Sequence, residues 1–226
     1  MGKVYRRYVD KWGAGENISY SKVKIPPGTS FQDFSFPYHR LDGPAIIYEG
    51  GDEEWRQNGL QHRVSGPCMI DAGGSESWMS YGQYHRIGGP ALFTIGEVGT
   101  REEWYWHGER HRIGGPAIIE KFFDGTVASE YWFYYGEKHR VGGPAVISKH
   151  RKEWWYFGNR HRIGGPAVED DAKGEKEWFY QGRRHNLEGP AITTVNKETG
   201  KALSSYYIHG KFYTKKDFLA FIKANP

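Results

Sequence analysis

Residues 154–167 read WWYFGNRHRIGGPA, and the same pattern recurs along most of the chain. Residues 104–117, for example, read WYWHGERHRIGGPA. The shared unit is Trp-x-x-x-Gly-x-x-His-Arg-x-x-Gly-Pro-Ala, in which x is variable. Its copies are marked, at steps of 22 to 28 residues, by His39, His62, His85, His111, His139, His161 and, in the altered form His-Asn, His185. Internal repetition at this spacing predicts stacked structural units, each of which buries its apolar surface against its neighbours.

Each copy has the composition of a strand, a turn and a second strand. The aromatic stretch that begins at Trp154 is too short for a helix and suits a pleated surface. Gly158 permits a tight reversal, and Pro166, which donates no hydrogen bond, suits the entrance of a return strand. We therefore predict an all-β fold: a solenoid, or extended twisted sheet, of about seven stacked β-hairpins.

The two ends of the chain differ from its middle. Residues 1–38 contain no copy of the unit and are predicted to form an N-terminal cap, followed by hairpin repeats over residues 39–213. Residues 214–226 begin with Thr214-x-x-Asp217, a variant of the helical capping box, and continue with apolar residues at helical spacing. A short C-terminal helix is therefore predicted to cap the last hairpin.

Composition excludes several classes of protein. The 226 residues contain 31 Lys and Arg against 27 Asp and Glu, a net charge of +4, which is too small to indicate nucleic-acid binding by itself. Cys68 is the only cysteine, so neither an intrachain disulfide nor a four-cysteine zinc site can form. No apolar stretch has the length of a membrane span, and the first residues lack the apolar core of a signal peptide. A cytoplasmic location is predicted.

The repeated unit resembles the variant MORN repeats of many bacteriophage and giant-virus proteins, and the likeness covers roughly residues 36–213. MORN repeats are β-hairpins of about this length that stack into curved ribbons and commonly act as scaffolds. The resemblance implies a viral source, with the cytoplasm of the host cell or the virion as the location. The His-Arg and Gly-Pro pairs depart from the usual MORN unit, so lipid binding carries over less well than the fold.

The His-Arg pairs have two interpretations. Stacking would align arginines in a cationic stripe able to grip phosphates or an acidic partner: Arg40, Arg63, Arg86, Arg112, Arg140 and Arg162. Alternatively, these arginines pair with the acids that stand just before each repeated tryptophan, such as Glu54, Glu103, Glu153 and Glu177, while the histidines satisfy backbone groups at the turns. We favour the structural interpretation, because a packing rule generates a repeat whereas a binding site normally interrupts one. Successive histidines would lie about 10 Å apart, too far to share a metal ion.

Aromatic residues provide a second candidate site. Side chains alternate along a strand, so Trp132 and Tyr134 are expected on one face, which we assign to the core, and Phe133 on the other. The matching non-repeated aromatics Tyr105, Phe133, Trp155 and Phe179 are the predicted exposed contact surface, suited to a protein partner.

We expect a non-enzymatic scaffold for protein–protein contact, because no phosphate loop, nucleophile elbow or paired-carboxylate motif is present. Given a viral source, the expected roles are inhibition of a host defence protein or an accessory place in the virion. The alternative is a protein that sequesters a nucleotide or single-stranded nucleic acid through its arginines and aromatic rings. No cofactor or metal is predicted, and the sequence leaves the oligomeric state open.

Overall fold

A computed structural model gives the fold of residues 6–12, 15–21, 38–48, 50–196 and 198–225. The chain forms two compact units, residues 1–109 and residues 110–226. Both are built from short antiparallel strands, because the sequence supplies β-branched and aromatic residues in runs too short for helices between closely spaced glycines.

The N-terminal unit begins with a hairpin of longer strands and continues with very short ones. In chain order its strands are β1 (Arg6–Trp12), β2 (Gly15–Ser21), β3 (Ile46–Ile47), β4 (Glu53–Glu54), β5 (Arg56–Gln57), β6 (Leu60–Gln61), β7 (Met69–Ile70), β8 (Glu76–Ser77), β9 (Met79–Ser80), β10 (Gln83–Tyr84), β11 (Leu92–Ile95), β12 (Gly99–Glu103) and β13 (Tyr105–Trp106). Strands β1, β2, β3, β4, β7, β8, β11 and β12 pair one after another in an antiparallel sheet. Separate small hairpins are formed by β5 with β6 and by β9 with β10. Strand β14 (Glu109–Arg110) spans the division between the two units.

The C-terminal unit repeats the same plan and ends in a helix. Its elements are β15 (Ile118–Phe122), β16 (Val127–Tyr131), β17 (Phe133–Tyr134), β18 (Glu137–Lys138), β19 (Val146–Ser148), β20 (Arg151–Glu153), β21 (Trp155–Tyr156), β22 (Asn159–Arg160), β23 (Val168–Asp170), β24 (Glu175–Glu177), β25 (Phe179–Tyr180), β26 (Arg183–Arg184), β27 (Ile192–Val195), β28 (Ala202–Ile208), β29 (Lys211–Tyr213) and α1 (Lys215–Ala224). The sheet runs through β15, β16, β19, β20, β23, β24, β27, β28 and β29. Small hairpins pair β17 with β18, β21 with β22, and β25 with β26.

The repeated tryptophan lies where the chain leaves the sheet. The backbone N–H of Trp154 donates to the carbonyl of Ala167 at 2.8 Å, and the carbonyl of Trp154 accepts from the N–H of His161 at 3.0 Å. Trp154 itself belongs to no strand; β20 precedes it in the sheet and β21 follows it in a small hairpin. The aromatic residues after each tryptophan therefore form a separate hairpin, whereas we had expected them to continue the main strand.

The core of each repeat is narrow and centres on the alanine after Gly-Pro. These positions are fully buried: Ala45, Ala91, Ala117, Ala145, Ala167 and Ala191, with Cys68 in the equivalent place of the second copy. The backbone of Ala167 bonds on both sides, since its N–H also donates to the carbonyl of Glu177 at 2.7 Å. Because two neighbouring strands approach this residue closely, only a small side chain is accommodated there.

The C-terminal helix closes the last hairpin as predicted. Thr214 is its N-cap, and the Thr214 hydroxyl oxygen accepts from the backbone N–H of Asp217 at 3.2 Å. Phe218 is buried against Tyr206 of β28, with ring centroids 4.9 Å apart, and Phe221 contacts Tyr213 of β29. The predicted all-β hairpin repeats and capping helix are thus confirmed.

Most of the predicted N-terminal cap, residues 1–38, lies outside the described residues. Its described strands are β1 and β2, and β2 pairs with β3 through Ile18 opposite Ile47 and Ser19 opposite Ile46. The edge of β3 is therefore covered by a hairpin that precedes the first repeat. The predicted division at residues 38 and 39 stays a prediction.

Candidate functional site

The histidine of each copy accepts a hydrogen bond from a hairpin turn of the following copy. The Nδ1 atom of His139 accepts from the backbone N–H of Phe157 at 3.2 Å, and the two rings stack with centroids 4.1 Å apart. Equivalent bonds of 2.9 to 3.4 Å join Asn58 to His39, Tyr81 to His62, His107 to His85, Tyr135 to His111, Gln181 to His161 and His209 to His185. An accepting Nδ1 requires the neutral imidazole that carries its proton on Nε2. The histidines therefore join successive repeats.

These bonds act on residues held in an unfavourable backbone conformation. Phe157 and Gly158 form the turn between β21 and β22, and both have positive φ, 41° and 71°. That combination is the type I′ turn preferred by two-residue hairpins, and at a non-glycine residue it costs about 1–2 kcal/mol. The hydrogen bond to His139 and the ring stack offset this cost at the Phe157 position.

Burial lowers the pKa of several of these histidines. It does so at His62 and His139, and at His85 and His185 the neighbouring imidazoles of His107 and His209 lower the pKa further. At His139 the carboxylate of Glu137 opposes the effect without reversing it. The neutral form that the turn bonds require is therefore also the form favoured by the surroundings.

The arginine that follows each histidine is packed within its own loop. The guanidinium of Arg162 lies 3.7 Å from the ring centroid of Trp154, and its Nη1 donates to the carbonyl of Pro166 at 3.0 Å. A Cβ atom at Gly165 would lie 3.0 Å from Cζ of Arg162, so glycine is needed for this approach. The same carbonyl bond is made, at 3.0 to 3.4 Å, by Arg40, Arg63, Arg86, Arg112 and Arg140. The six arginines of the predicted anion stripe thus share one packed arrangement; whether they bind anions stays a prediction.

A row of carboxylates is buried beside the repeated tryptophans. Its members, Glu54, Glu103, Glu153 and Glu177, are paired with Arg56, Arg101, Arg151 and Arg184, none of which is the arginine of a His-Arg-x-x-Gly-Pro unit. Burial raises the pKa of Glu153, but hydrogen bonds from Arg151 and Trp155 outweigh it and hold the pKa below its ordinary value. The arginines we had expected to pair with this row include four that stack on tryptophan instead: Arg63, Arg86, Arg140 and Arg162. The carboxylate that Arg162 pairs with is Glu169, at 2.8 Å.

The four aromatic residues predicted to be exposed are not the exposed ones. Phe179 is buried, with 8% of its surface accessible, and Tyr105, Phe133 and Trp155 are half-buried. The Tyr105 hydroxyl and the Trp155 indole N–H donate to the buried carboxylates that precede them, each at 2.8 Å. The more exposed rings are Trp106, Tyr134, Tyr156 and Tyr180. Our assignment of faces is wrong for these rings, because the chain leaves the sheet at each tryptophan and strand alternation does not continue through that point.

The most exposed repeated side chain is one the sequence analysis did not single out. The aliphatic residue two positions after each histidine stands at the tip of the His-Arg-x-x-Gly-Pro loop, and we call these residues the loop tips. Val64, Ile87, Ile113, Val141 and Ile163 are 79–90% exposed, and Leu41 and Leu187 are 52% and 48% exposed. The available signal was the occurrence of Leu, Val or Ile at this position in every copy.

Grooves separate neighbouring loop tips. In the C-terminal unit, a groove of about 460 Å³ lies between Val141 and Ile163, with Trp154, Tyr156 and His161 among its lining residues. The next groove, of about 280 Å³, lies between Ile163 and Leu187 and is lined by the equivalent Trp178, Tyr180 and His185. A groove of about 470 Å³ in the N-terminal unit likewise lies between Leu41 and Val64. The loop tips and the grooves between them thus recur with the sequence repeat.

Two other classes of site are absent from the described residues. Among them, no group of three or more His, Cys, Asp or Glu side chains is placed to hold a metal ion. No helix in the same part of the chain is long and apolar enough to cross a membrane.

Comparison with the models of known protein families and with curated proteins finds no match for this chain.

Proposed function

We propose that this protein is a non-enzymatic scaffold that binds another protein through the loop tips and grooves of its C-terminal unit. One observation carries the proposal: each copy places an aliphatic side chain at a loop tip, where about half or more of it faces solvent. Isolated exposed apolar residues are ordinary, but a regular series beside aromatic grooves is typical of an interaction surface.

The composition of this surface suits protein contact. Val141, Ile163 and Leu187 supply aliphatic surface, and the half-exposed rings of Tyr156 and Tyr180 lie between them. Tyrosine, tryptophan and arginine are the residues that most often dominate the energy of protein interfaces. Burying one exposed valine or isoleucine is worth about 1.5–3 kcal/mol, so the loop tips supply a favourable contribution that is set against the cost of association.

The resemblance to variant MORN repeats supports the more specific roles expected from the sequence. With a viral source, the scaffold acts in the host cytoplasm by binding and inhibiting a defence protein, or it is an accessory component of the virion. Sequestration of a nucleotide or single-stranded nucleic acid is the competing function. It gains support from the exposed tyrosine rings, whereas the ion pairs of Arg162 with Glu169 and of Arg40 with Asp42 argue against it.

The test compares the wild-type protein with a loop-tip variant that carries Val141→Ser, Ile163→Ser and Leu187→Ser. Phe123→Ser is the matched control, because Phe123 is 63% exposed in the turn between β15 and β16 and lines neither of the two grooves. Each protein is immobilised and challenged with a random peptide display library. Fluorescent oligonucleotides and cyclic nucleotides are titrated separately at low salt.

We expect peptides that bind the wild type and the control but not the loop-tip variant. Binding of oligonucleotide or nucleotide that weakens steeply with salt, without tip-dependent peptides, would overturn the scaffold in favour of sequestration. Library selection that yields only peptides indifferent to the loop tips would also refute the proposed surface.

A further inference from the structure

The spacing of the loop tips in the C-terminal unit is set by the sheet. The loops that carry Ile113, Val141, Ile163 and Leu187 lead into β15, β19, β23 and β27, and a single sheet strand lies between each successive pair. Neighbouring strands are about 4.8 Å apart, so the grooves repeat every ~9.6 Å. A ligand that fills several grooves must present a side chain at that interval.

Only one regular backbone conformation matches this interval. In a polyproline II helix, every third residue lies on the same side at a spacing of about 9.3 Å. An extended strand offers same-face residues every ~6.7 Å, and an α-helix repeats after seven residues, at about 10.5 Å. Over the three intervals between Ile113 and Leu187 the mismatch is about 1 Å for polyproline II and about 3 Å for the α-helix.

The polar groups of the groove between Val141 and Ile163 are mostly donors. The Nδ1 atom of His161 is occupied as an acceptor by the N–H of Gln181, so the Nε2 of that ring carries the proton and is a donor. The indole N–H of Trp154 makes no hydrogen bond to any described residue. A polyproline II segment has no internal hydrogen bonds, and its prolines have carbonyls but no N–H. Donors in the groove and acceptors in the ligand are therefore complementary.

The charge of this groove favours a partner segment that contains acidic residues. Arg140 and Arg162 line this groove, and no carboxylate side chain does. Arg162 is neutralised by Glu169, but Arg140 forms no ion pair with any described residue and uses its Nη1 on the carbonyl of Pro144. A carboxylate on the partner segment would supply the missing counter-charge.

We propose that the partner segment is acidic and proline-rich, binds in the polyproline II conformation, and places an apolar side chain in successive grooves at every third residue. This inference rests on the proposed function, since it names the kind of segment that the loop tips and grooves bind. It assigns the loop tips a specific role: they separate the grooves and thereby set the spacing at which apolar side chains of the ligand can bind.

The test uses a fluorescein-labelled peptide of four Leu-Pro-Glu triplets, about 37 Å long in the polyproline II conformation. One control peptide has the same composition with irregularly spaced leucines, and a second replaces each Glu by Gln. Binding is measured by fluorescence anisotropy with the wild type, the loop-tip variant and the Phe123→Ser control, to millimolar protein concentration.

We expect the regular peptide to bind the wild type and the Phe123→Ser protein at least about tenfold more tightly than the irregular one, and the Gln peptide to bind more weakly than the Glu peptide. The loop-tip variant should lose the preference for regular spacing. Equal affinity for both spacings, or no binding, refutes the polyproline II inference; if the display library still yields tip-dependent peptides, the scaffold function survives. Absence of tip-dependent peptides from the library as well refutes both.

Discussion

Replacing Gly165 by alanine tests whether the His-Arg arginines are structural. The three atoms nearest to the added Cβ all belong to the guanidinium group of Arg162, at 3.0 to 3.3 Å, so the substitution must displace that group. A displacement of a few tenths of an ångström would weaken both a stack on Trp154 worth about 0.5–2 kcal/mol and a charge-assisted bond to Pro166 worth about 1.5 kcal/mol, and we expect about 2 kcal/mol of their combined ~2–3.5 kcal/mol to be lost. Against this loss, alanine restricts the unfolded chain and gains about 0.4–1 kcal/mol. We expect a net destabilisation of about 1–2 kcal/mol.

The sign of the effect should change when Arg162 is absent. In an Arg162→Ala background nothing remains to be displaced, and the residue before a proline favours extended conformations that alanine adopts readily. Gly165→Ala should then be neutral or stabilising. The free-energy change caused by Gly165→Ala should therefore differ by about 2 kcal/mol between the two backgrounds, which is the coupling energy of the two sites. Gly164→Ala is the matched control: Gly164 has a φ of 75° and open space around its Cβ position, so its cost of about 1 kcal/mol should be the same in both backgrounds.

Urea denaturation followed by tryptophan fluorescence measures the four free energies of the cycle. If Gly165→Ala costs the same free energy with and without Arg162, within about 0.5 kcal/mol, the packed arginine is not a stabilising element. Arg162 would then be available for anion binding, and the cationic stripe predicted from the sequence would again be a candidate binding site.

Three further predictions concern the tryptophan row, the histidines and the cysteine. Trp132→Ala should destabilise the protein more than Phe133→Ala, because Arg140 lies 3.8 Å from the ring centroid of Trp132; thermal unfolding that shows equal or reversed losses would contradict this. His139→Phe keeps the stack on Phe157 but removes the acceptor, and should cost about 1 kcal/mol at neutral pH in the same urea assay. Because the folded-state pKa of His139 is lowered, its contribution is complete above about pH 6.5 and is lost as the pH falls, so wild type and variant should converge in acid. Burial raises the pKa of the Cys68 thiol to about 11, so a disulfide reagent at pH 8 should modify Cys68 at the rate of unfolding; rapid modification of the native protein would show that Cys68 is accessible.

The repeated sequence was sufficient to predict the class of fold, because its signals are local. Gly158 at a turn, Pro166 before a strand and Thr214 three residues before Asp217 each act within a few residues of themselves. The sequence could not show that the chain leaves the sheet at Trp154, since that depends on backbone bonds to Ala167 and to His161. Phe179 was consequently assigned to the wrong surface.

The partners of the charged residues were also beyond the sequence. Glu153 immediately precedes Trp154, and an arginine of the His-Arg pairs was its expected counter-ion. Instead Arg151, on the same strand, pairs with Glu153 and also with Asp170 at 2.8 Å. Arginine stacks on tryptophan and pairs with carboxylates about equally well, so spacing alone does not decide between these partners. The hydrogen bond from Phe157 to His139 crosses from one repeat to the next and became evident only once the stacking was known.

The repeated residues now separate according to what holds them in place. His139 bonds to the next turn, Arg140 lies on a tryptophan, and Ala145 is enclosed between strands, so packing accounts for their recurrence. Packing does not account for Val141, which is 79% exposed and lines a groove. Our sequence argument held that packing generates repeats and binding interrupts them, but a ligand that is itself periodic removes that distinction. A residue that recurs without being buried is therefore where function is to be sought in this fold, and the loop tips satisfy that condition.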